Sequence, residues 1–367
     1  MQKFLSLVWY KVLPPQYGGQ KGVALFNKYF GKKKYLTCLC SSDNQTDNVL
    51  PYAVYPLLPV SKKQFFSFGI RKRILDFIRR HQFTHIILEH PYHAWLTRYR
   101  EKFNFKLIVH AHNIEFIRMK KRRKWWWLWV RFVEAKAFKH ADFILFKTEN
   151  DKQKAIQFFD VSENKCFVLP YGTELNSLPV SRKENRKKIE TIHNIKPGEI
   201  IILFAASLDY EPNKKALFTI FTKIISRLIG RADFPFKLVI CGKFDEKEFQ
   251  KIALHPSLIF AGFVDSIEAY MQAADIFINP VVFGSGIQTK NIEALANGAS
   301  VASTEYAAEG LPGYLSGKKL LTSKNDDWVQ FVENIIVLAK NPCPTPQQFY
   351  DDFYWVNIID RLLAKIL

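Results

Sequence analysis

Apolar runs of strand length alternate with amphipathic stretches along almost the whole chain. Phe4 to Tyr10 is the first apolar run, and a Pro-Pro loop and the glycine-bearing Tyr17 to Gly22 follow before a helix-like stretch, Val23 to Phe30. Strands are expected at Tyr35 to Cys40, His85 to Glu89, Lys106 to His112, Ala141 to Lys147 and Lys165 to Leu169, with helices at Ile70 to Arg80, Val133 to Lys139 and Glu149 to Phe159. A loop rich in Ser, Asp, Asn and Thr runs to about Asn48. From Pro170 to Gly198 the chain is polar, carries basic clusters and offers no apolar strand, so it reads as an interdomain crossing with a short helix. The alternation then resumes. Strands are expected at Glu199 to Ala206, Phe236 to Cys241, Leu258 to Ala261, Asp275 to Asn279 and Ser300 to Thr304. Helices are expected at Ala216 to Ile229 and Ile267 to Ala274, the former opened by a loop over Leu208 to Lys215, and Phe349 to Leu367 reads as a terminal amphipathic helix. Strands that alternate with helices imply parallel sheets covered on both faces.

A length of 367 residues suits two domains, each able to bury its own core. Hydrophobic content of 48% with 15% aromatics excludes a disordered chain. No apolar run approaches the roughly 20 residues of a spanning helix, and Met1 to Tyr10 is too short for a secretory leader. A cytoplasmic protein is expected. Five scattered cysteines suit reduced thiols rather than a disulfide frame or a zinc site. Charge separates the two halves: residues 1–172 hold 31 of the 53 Lys and Arg and 12 of the 34 Asp and Glu, so the whole +19 excess lies there. A basic half beside a neutral half points to different partners, the basic one facing an anionic surface.

Three stretches carry candidate chemistry. Between Asn279 and Gly298 a short strand runs into Pro280, the glycines Gly284 and Gly286, and a helix closed by Asn297-Gly298. The N–H groups and dipole of a helix start favour phosphate. Lys290 sits about one turn in, and Glu293 follows at i+3 on the same face, where one can neutralise a diphosphate while the other accepts from ribose hydroxyls. A plain helix cap with a surface Lys/Glu pair is the other reading. His112 stands just past the carboxyl end of a parallel strand, where a ligand crevice lies, and it suits a sugar or acceptor hydroxyl or simple solvation. In Arg118 to Phe132, six basic residues, among them Lys120, Lys121, Arg122 and Arg123, lead into Trp125, Trp126, Trp127 and Trp129. Phosphate attraction beside aromatic anchors suits a membrane interface. If the stretch is one helix, Trp125, Trp129 and Phe132 share a face and core packing is the alternative; no nucleic-acid signature accompanies the charge.

Taken together, LDYEPNKK at Leu208 to Lys215, Gly262-Phe-Val-Asp265, Ala274 to Pro280 and Gly284 to Leu295 closely resemble the nucleotide-sugar domain of retaining GT-B glycosyltransferases of family 4. Gly18-Gly19 and His112 to Glu115 extend the resemblance across nearly the whole chain. It implies an α/β GT-B fold of two Rossmann-like domains facing across a cleft: 1–172 on the acceptor side, a linker at 173–198, 199–345 for the donor, and a helix at 346–367 packing back across the domains. It places Lys214 and Lys290 at the donor diphosphate and Glu293 on the ribose, with Asn213, Gly284, Ser285, Gly286, Ile287, Gln288 and Thr289 around the donor. Gly18 and Gly19 would approach the diphosphate from the other domain, with His112 near the transferred sugar. No metal or other cofactor is implied. The partners implied are a UDP- or GDP-linked sugar and a glycan or lipid-linked acceptor for a surface polysaccharide, with peripheral contact to anionic membrane. Many members carry two glutamates eight positions apart, and Ser285 stands where the partner of Glu293 would be. A sugar-nucleotide epimerase on the same fold and a non-catalytic nucleotide-sugar or membrane-binding protein are the alternatives.

Overall fold

A computed structural model describes residues 2–45, 49–243, 255–284 and 286–367. The chain forms two compact units, residues 1–172 with 355–367, and residues 173–354.

In the first unit seven strands pair in parallel: β1 (Lys3–Val8), β2 (Tyr35–Ser41), β3 (Ala53–Leu58), β4 (His85–Glu89), β5 (Lys106–Ala111), β6 (Phe143–Phe146) and β7 (Cys166–Val168), in the order β3-β2-β1-β4-β5-β6-β7. Both faces are buried, which is why the strands read as unbroken apolar runs. Leu5 and Leu7 face one core with Leu107 and Val109, while Phe4 and Val8 face the other with Val23, Phe26 and Phe30. That second core is completed by helix Trp355–Ile366, whose Trp355, Ile358, Ile359, Leu362, Leu363 and Ile366 recur at three- and four-residue spacing and are all buried.

The second unit holds β8 (Ile200–Ala205), β9 (Phe236–Cys241), β10 (Leu258–Gly262), β11 (Ile276–Asn279), β12 (Ser300–Thr304) and β13 (Leu320–Ser323). Its described residues order as β10-β9-β8-β11-β12-β13, again all parallel. In both sheets the chain builds outward to one side of its first strand and then returns to build on the other. Such a reversal leaves a crevice at the carboxyl ends of the two central strands, β1 and β4 in one sheet and β8 and β11 in the other.

Several expectations are corrected. The 173–198 stretch is not a linker, because helix Arg182–His193 is docked on the second unit through Arg186, which donates to Ala273 O at 2.8 Å and Asp275 Oδ2 at 2.6 Å. The terminal helix is two helices. Gln347–Phe353 buries Phe349, Tyr350 and Phe353 in the second unit, and extended Tyr354 separates it from Trp355–Ile366 in the first. Tyr354 bridges to Thr173, so the two crossing strands of chain run side by side. Asn213 and Lys214 lie in the first turns of a helix, Glu211–Thr219, and not in a loop. Arg118 to Phe132 is not one helix: Glu115–Lys121 ends, Arg123 takes a φ of +51°, and a new helix starts at Trp127. Beyond the expected elements are β3, an edge strand with Pro56 and several exposed positions, then β13 and the buried helix Trp328–Lys340. Among the described residues no helix is long and apolar enough to cross a membrane.

Candidate functional site

In the second unit, the loops leaving β8 and β11 flank the crevice and touch each other. β8 leads into helix Glu211–Thr219, where Asn213 Nδ2 donates to Ser207 O at 2.7 Å and closes the turn, leaving Lys214 exposed at the helix start. β11 leads through Pro280 to Gly284 and Gly286, whose φ values of +149° and +77° favour glycine. A Cβ on Gly284 would sit 3.2 Å from Tyr210 Oη and 3.6 Å from Pro212 Cγ, so the glycine loop lies against the start of the Lys214 helix. Lys215 Nζ stands 5.0 Å from the Phe283 ring centroid, a second contact between the two loops. Ile287 and Gln288 then lead into helix Thr289–Ala296, with Gln288 at its N-cap.

Lys290 is in the first turn of that helix and half-buried. Burial lowers its ammonium to about 8, opposed by the Glu293 carboxylate one turn on. Sequence reasoning missed the residue that orients this helix. Asn291 is fully buried, accepts from Asn279 Nδ2 at 2.9 Å, and donates to Ala307 O at 2.7 Å and Ser303 Oγ at 3.3 Å. A polar residue on the apolar stripe of Ile292 and Leu295 was its only signal. Ser285 lies outside the described residues.

In the first unit, Gly18 and Gly19 open helix Gly18–Gly31 after β1. The loop before them is fixed by Asn44 Oδ1, which accepts from Val12 N at 2.7 Å and Leu13 N at 2.9 Å. His112 follows β5 and is not simply solvated. Its Nε2 lies 2.7 Å from Glu89 Oε2 at the end of β4, and the same carboxylate receives His110 Nδ1 at 3.0 Å. Burial alone would raise Glu89, but the two imidazoles hold it below the usual carboxylate range. Burial lowers His110 to about 4 and carries His112 well below its ordinary value. Lys147, just past β6, is also buried. Burial draws its ammonium down to about 8 against the pull of Glu89, and it makes no hydrogen bond among the described residues.

A second cluster adjoins the first. Glu115 accepts from Tyr92 Oη at 2.9 Å and Arg118 Nη2 at 2.8 Å, and faces His90 Nδ1 at 3.4 Å. Glu134 receives the backbone N–H groups of Glu115 and Phe116 at the start of helix Glu115–Lys121. Its carboxyl is nevertheless raised to about 8 by burial. No metal-ligand cluster was expected from spacing. Glu89, His110 and His112 do place three ligand atoms within 4.8 Å of one another among the described residues, although both ring nitrogens already face the carboxylate.

The aromatic-basic stretch divides. Trp125 is 88% exposed, with Leu128 and Phe132 also exposed and Lys120, Lys121, Arg122, Arg123 and Lys124 around it. Trp126 and Trp129 instead pack on the first core, Trp129 with its ring 5.1 Å from Phe66 and Trp126 beneath Lys62 Nζ.

Comparison with known proteins matches residues 35–177 to glycosyltransferase family 4 and residues 199–341 to glycosyl transferases group 1. A 44.6 kDa protein of the cps region of Klebsiella pneumoniae is 27% identical over 190 residues, 49% of this chain and 46% of that protein. An alpha-monoglucosyldiacylglycerol synthase of Streptococcus pneumoniae is 28% identical over 146 residues, 36% of this chain and 31% of that one. The matched stretches thus span less than half the length of these curated relatives. Among solved structures, sucrose-phosphate synthase from Thermosynechococcus elongatus superposes with a TM-score of 0.72 at 16% identity, covering 99% of this chain and 98% of that one. HepE from Anabaena, solved with UDP and glucose, does so at 0.70 and 13% identity, covering 100% and 99%.

Proposed function

The chain belongs to the group 1 glycosyltransferases of GT-B fold, and from that premise we propose that it moves a hexose from a UDP- or GDP-linked donor, with retention at the anomeric carbon, to a lipid-linked acceptor in surface polysaccharide synthesis. The observation that carries this reading is the meeting of the Gly284 loop with the start of the Lys214 helix at the β8/β11 crevice, with Lys290 one turn further on. Two lysines and helix-start N–H groups are the chemistry that a departing diphosphate needs. The bond from the anomeric carbon to the diphosphate oxygen breaks as the acceptor oxygen bonds to that carbon. The acceptor proton passes to the leaving phosphate, so no separate base is required. Glu293 is assigned to the ribose and His112 to the transferred sugar by the family resemblance, and no metal is needed where lysines supply the charge.

A lipid-linked acceptor is supported by the exposed Trp125, Leu128 and Phe132 among five consecutive basic residues, an anchoring surface for anionic bilayers. The relative named alpha-monoglucosyldiacylglycerol synthase accords with it. The test is a panel of UDP- and GDP-sugars with and without lipid-linked acceptors. Diphosphate release only with acceptor is expected, and isomerisation of the donor without acceptor would favour an epimerase. Flotation with anionic and neutral vesicles tests the surface; equal binding to both removes the membrane assignment.

A further inference from the structure

His112 lies close to two other imidazoles. Its ring centroid is 4.6 Å from that of His90 and 4.4 Å from that of His110, both rings tilted to it, and the Phe26 ring lies 4.8 Å from that of His110. One edge is taken by Glu89, which meets Nε2 at 2.7 Å. The side chain is 11% exposed, and its Nδ1 is not among the buried polar atoms left without a partner.

The hydrogen-bond chemistry fixes the protons. An ionised carboxylate only accepts, so Nε2 of His112 and Nδ1 of His110 must each carry hydrogen toward Glu89. Glu89 is held ionised by those two donors and by the buried ammonium of Lys147. Each imidazole is neutral with one hydrogen, so Nδ1 of His112 carries a lone pair.

We propose that Glu89 is the positioning residue of the sugar side of the site: it locks His112 as the Nε2–H tautomer, so that Nδ1 accepts a hydrogen bond from a hydroxyl of the transferred sugar. The inference rests on the assignment of His112 to the sugar. Glu89 itself is wholly buried and acts through His112. A lone pair at Nδ1 selects a sugar that offers a hydroxyl donor at that position, and it disfavours a deoxy or O-methylated donor there.

The experiment has two independent arms on the full chain. Long-range proton–nitrogen NMR of histidine-labelled protein, with His112 assigned by its loss in His112→Ala, reads the tautomer directly. An unprotonated Nδ1 is expected in the wild type, and a protonated Nδ1 overturns the proposal. Glu89→Gln offers an amide N–H where the carboxylate accepted, and the His112 signal should shift to an Nδ1–H or mixed form. Transfer by Glu89→Gln should fall about tenfold or more, the scale on which groups that orient a functional histidine act. Glu89→Asp, which keeps the carboxylate, should recover part of the loss. An unchanged rate in Glu89→Gln with UDP binding intact overturns the proposal. If His112→Ala transfers normally, the sugar-side assignment fails instead, and the NMR arm reports the tautomer separately. Should Glu89→Gln not fold, the wild-type spectrum alone decides.

Discussion

Replacing Lys290 with methionine should make the second unit more stable while abolishing transfer. The ammonium is drawn from its ordinary 10.5 to about 8 by burial, with Glu293 only partly offsetting that cost. A displacement of that size corresponds to about 3 kcal/mol held against the charged form, at about 1.4 kcal/mol per pH unit. Lys290 keeps some contact with water, so about 1 to 2 kcal/mol is the reasonable expectation after screening. Methionine fills similar space without charge, so the variant should gain that amount wherever the wild-type lysine is protonated. The folded-state value lies below the unfolded one, so the penalty is complete below about pH 8 and disappears as pH rises toward 10.5. The assay is urea unfolding at pH 7 and at pH 10.5, read by a brief deuterium pulse at a common pH and mass spectrometry of peptides covering 276–296. Reading peptides avoids treating a two-unit protein as one transition. A methionine variant no more stable at pH 7, or with an equal advantage at both pH values, would refute the reasoning. Stability gained with activity lost is the pattern of a residue kept for binding.

The same lysine predicts how the nucleotide binds. Calorimetric UDP affinity should be full below about pH 8 and weaken as Lys290 deprotonates above it, by about tenfold per pH unit at most, while a flat profile to pH 9.5 would remove Lys290 from the diphosphate. Asn291→Ala strands Asn279 Nδ2 and Ala307 O in a buried site and should cost the second unit about 2 kcal/mol in the same pulse-labelling assay. Chelation with EDTA should leave transfer unchanged; loss restored by a divalent cation would instead direct attention to Glu89, His110 and His112.

How much of this could be read from the sequence depended on range. β1, β5, β8 and β11 are buried on both faces, so their apolar runs were plain, and the Gly284–Gly286 loop with Lys290 is a local pattern whose chemistry needs no distant partner. A short helix was expected between Pro170 and Gly198, but its docking was hidden, because one buried residue, Ile189, and guanidinium hydrogen bonds hold helix Arg182–His193 on the second unit in place of an apolar stripe. β3 was hidden by its edge position, where Pro56 and exposed side chains break the alternation. The carboxylate behind His112 was invisible for another reason. Glu89 and His112 are 23 residues apart, and only the parallel register that sets Glu89 beside His110 brings them together. The tryptophan run misled because its composition suggested one continuous helix, whereas Arg123 in a left-handed conformation divides it.

The return of the chain to its first unit bears on how the protein is made. Residues 173–354 are contiguous and can condense as soon as they leave the ribosome. The earlier unit stays incomplete, since the core on one face of its sheet lacks Trp355, Ile358, Ile359 and Leu362 until they have been synthesised. During translation, Tyr29 and Tyr171, whose rings lie 6.4 and 6.1 Å from that of Trp355, would wait without that cover for the time it takes to build the whole of the later unit. A nonsense mutation after Tyr354 would thus spare the second unit and leave the first with part of its hydrophobic core open.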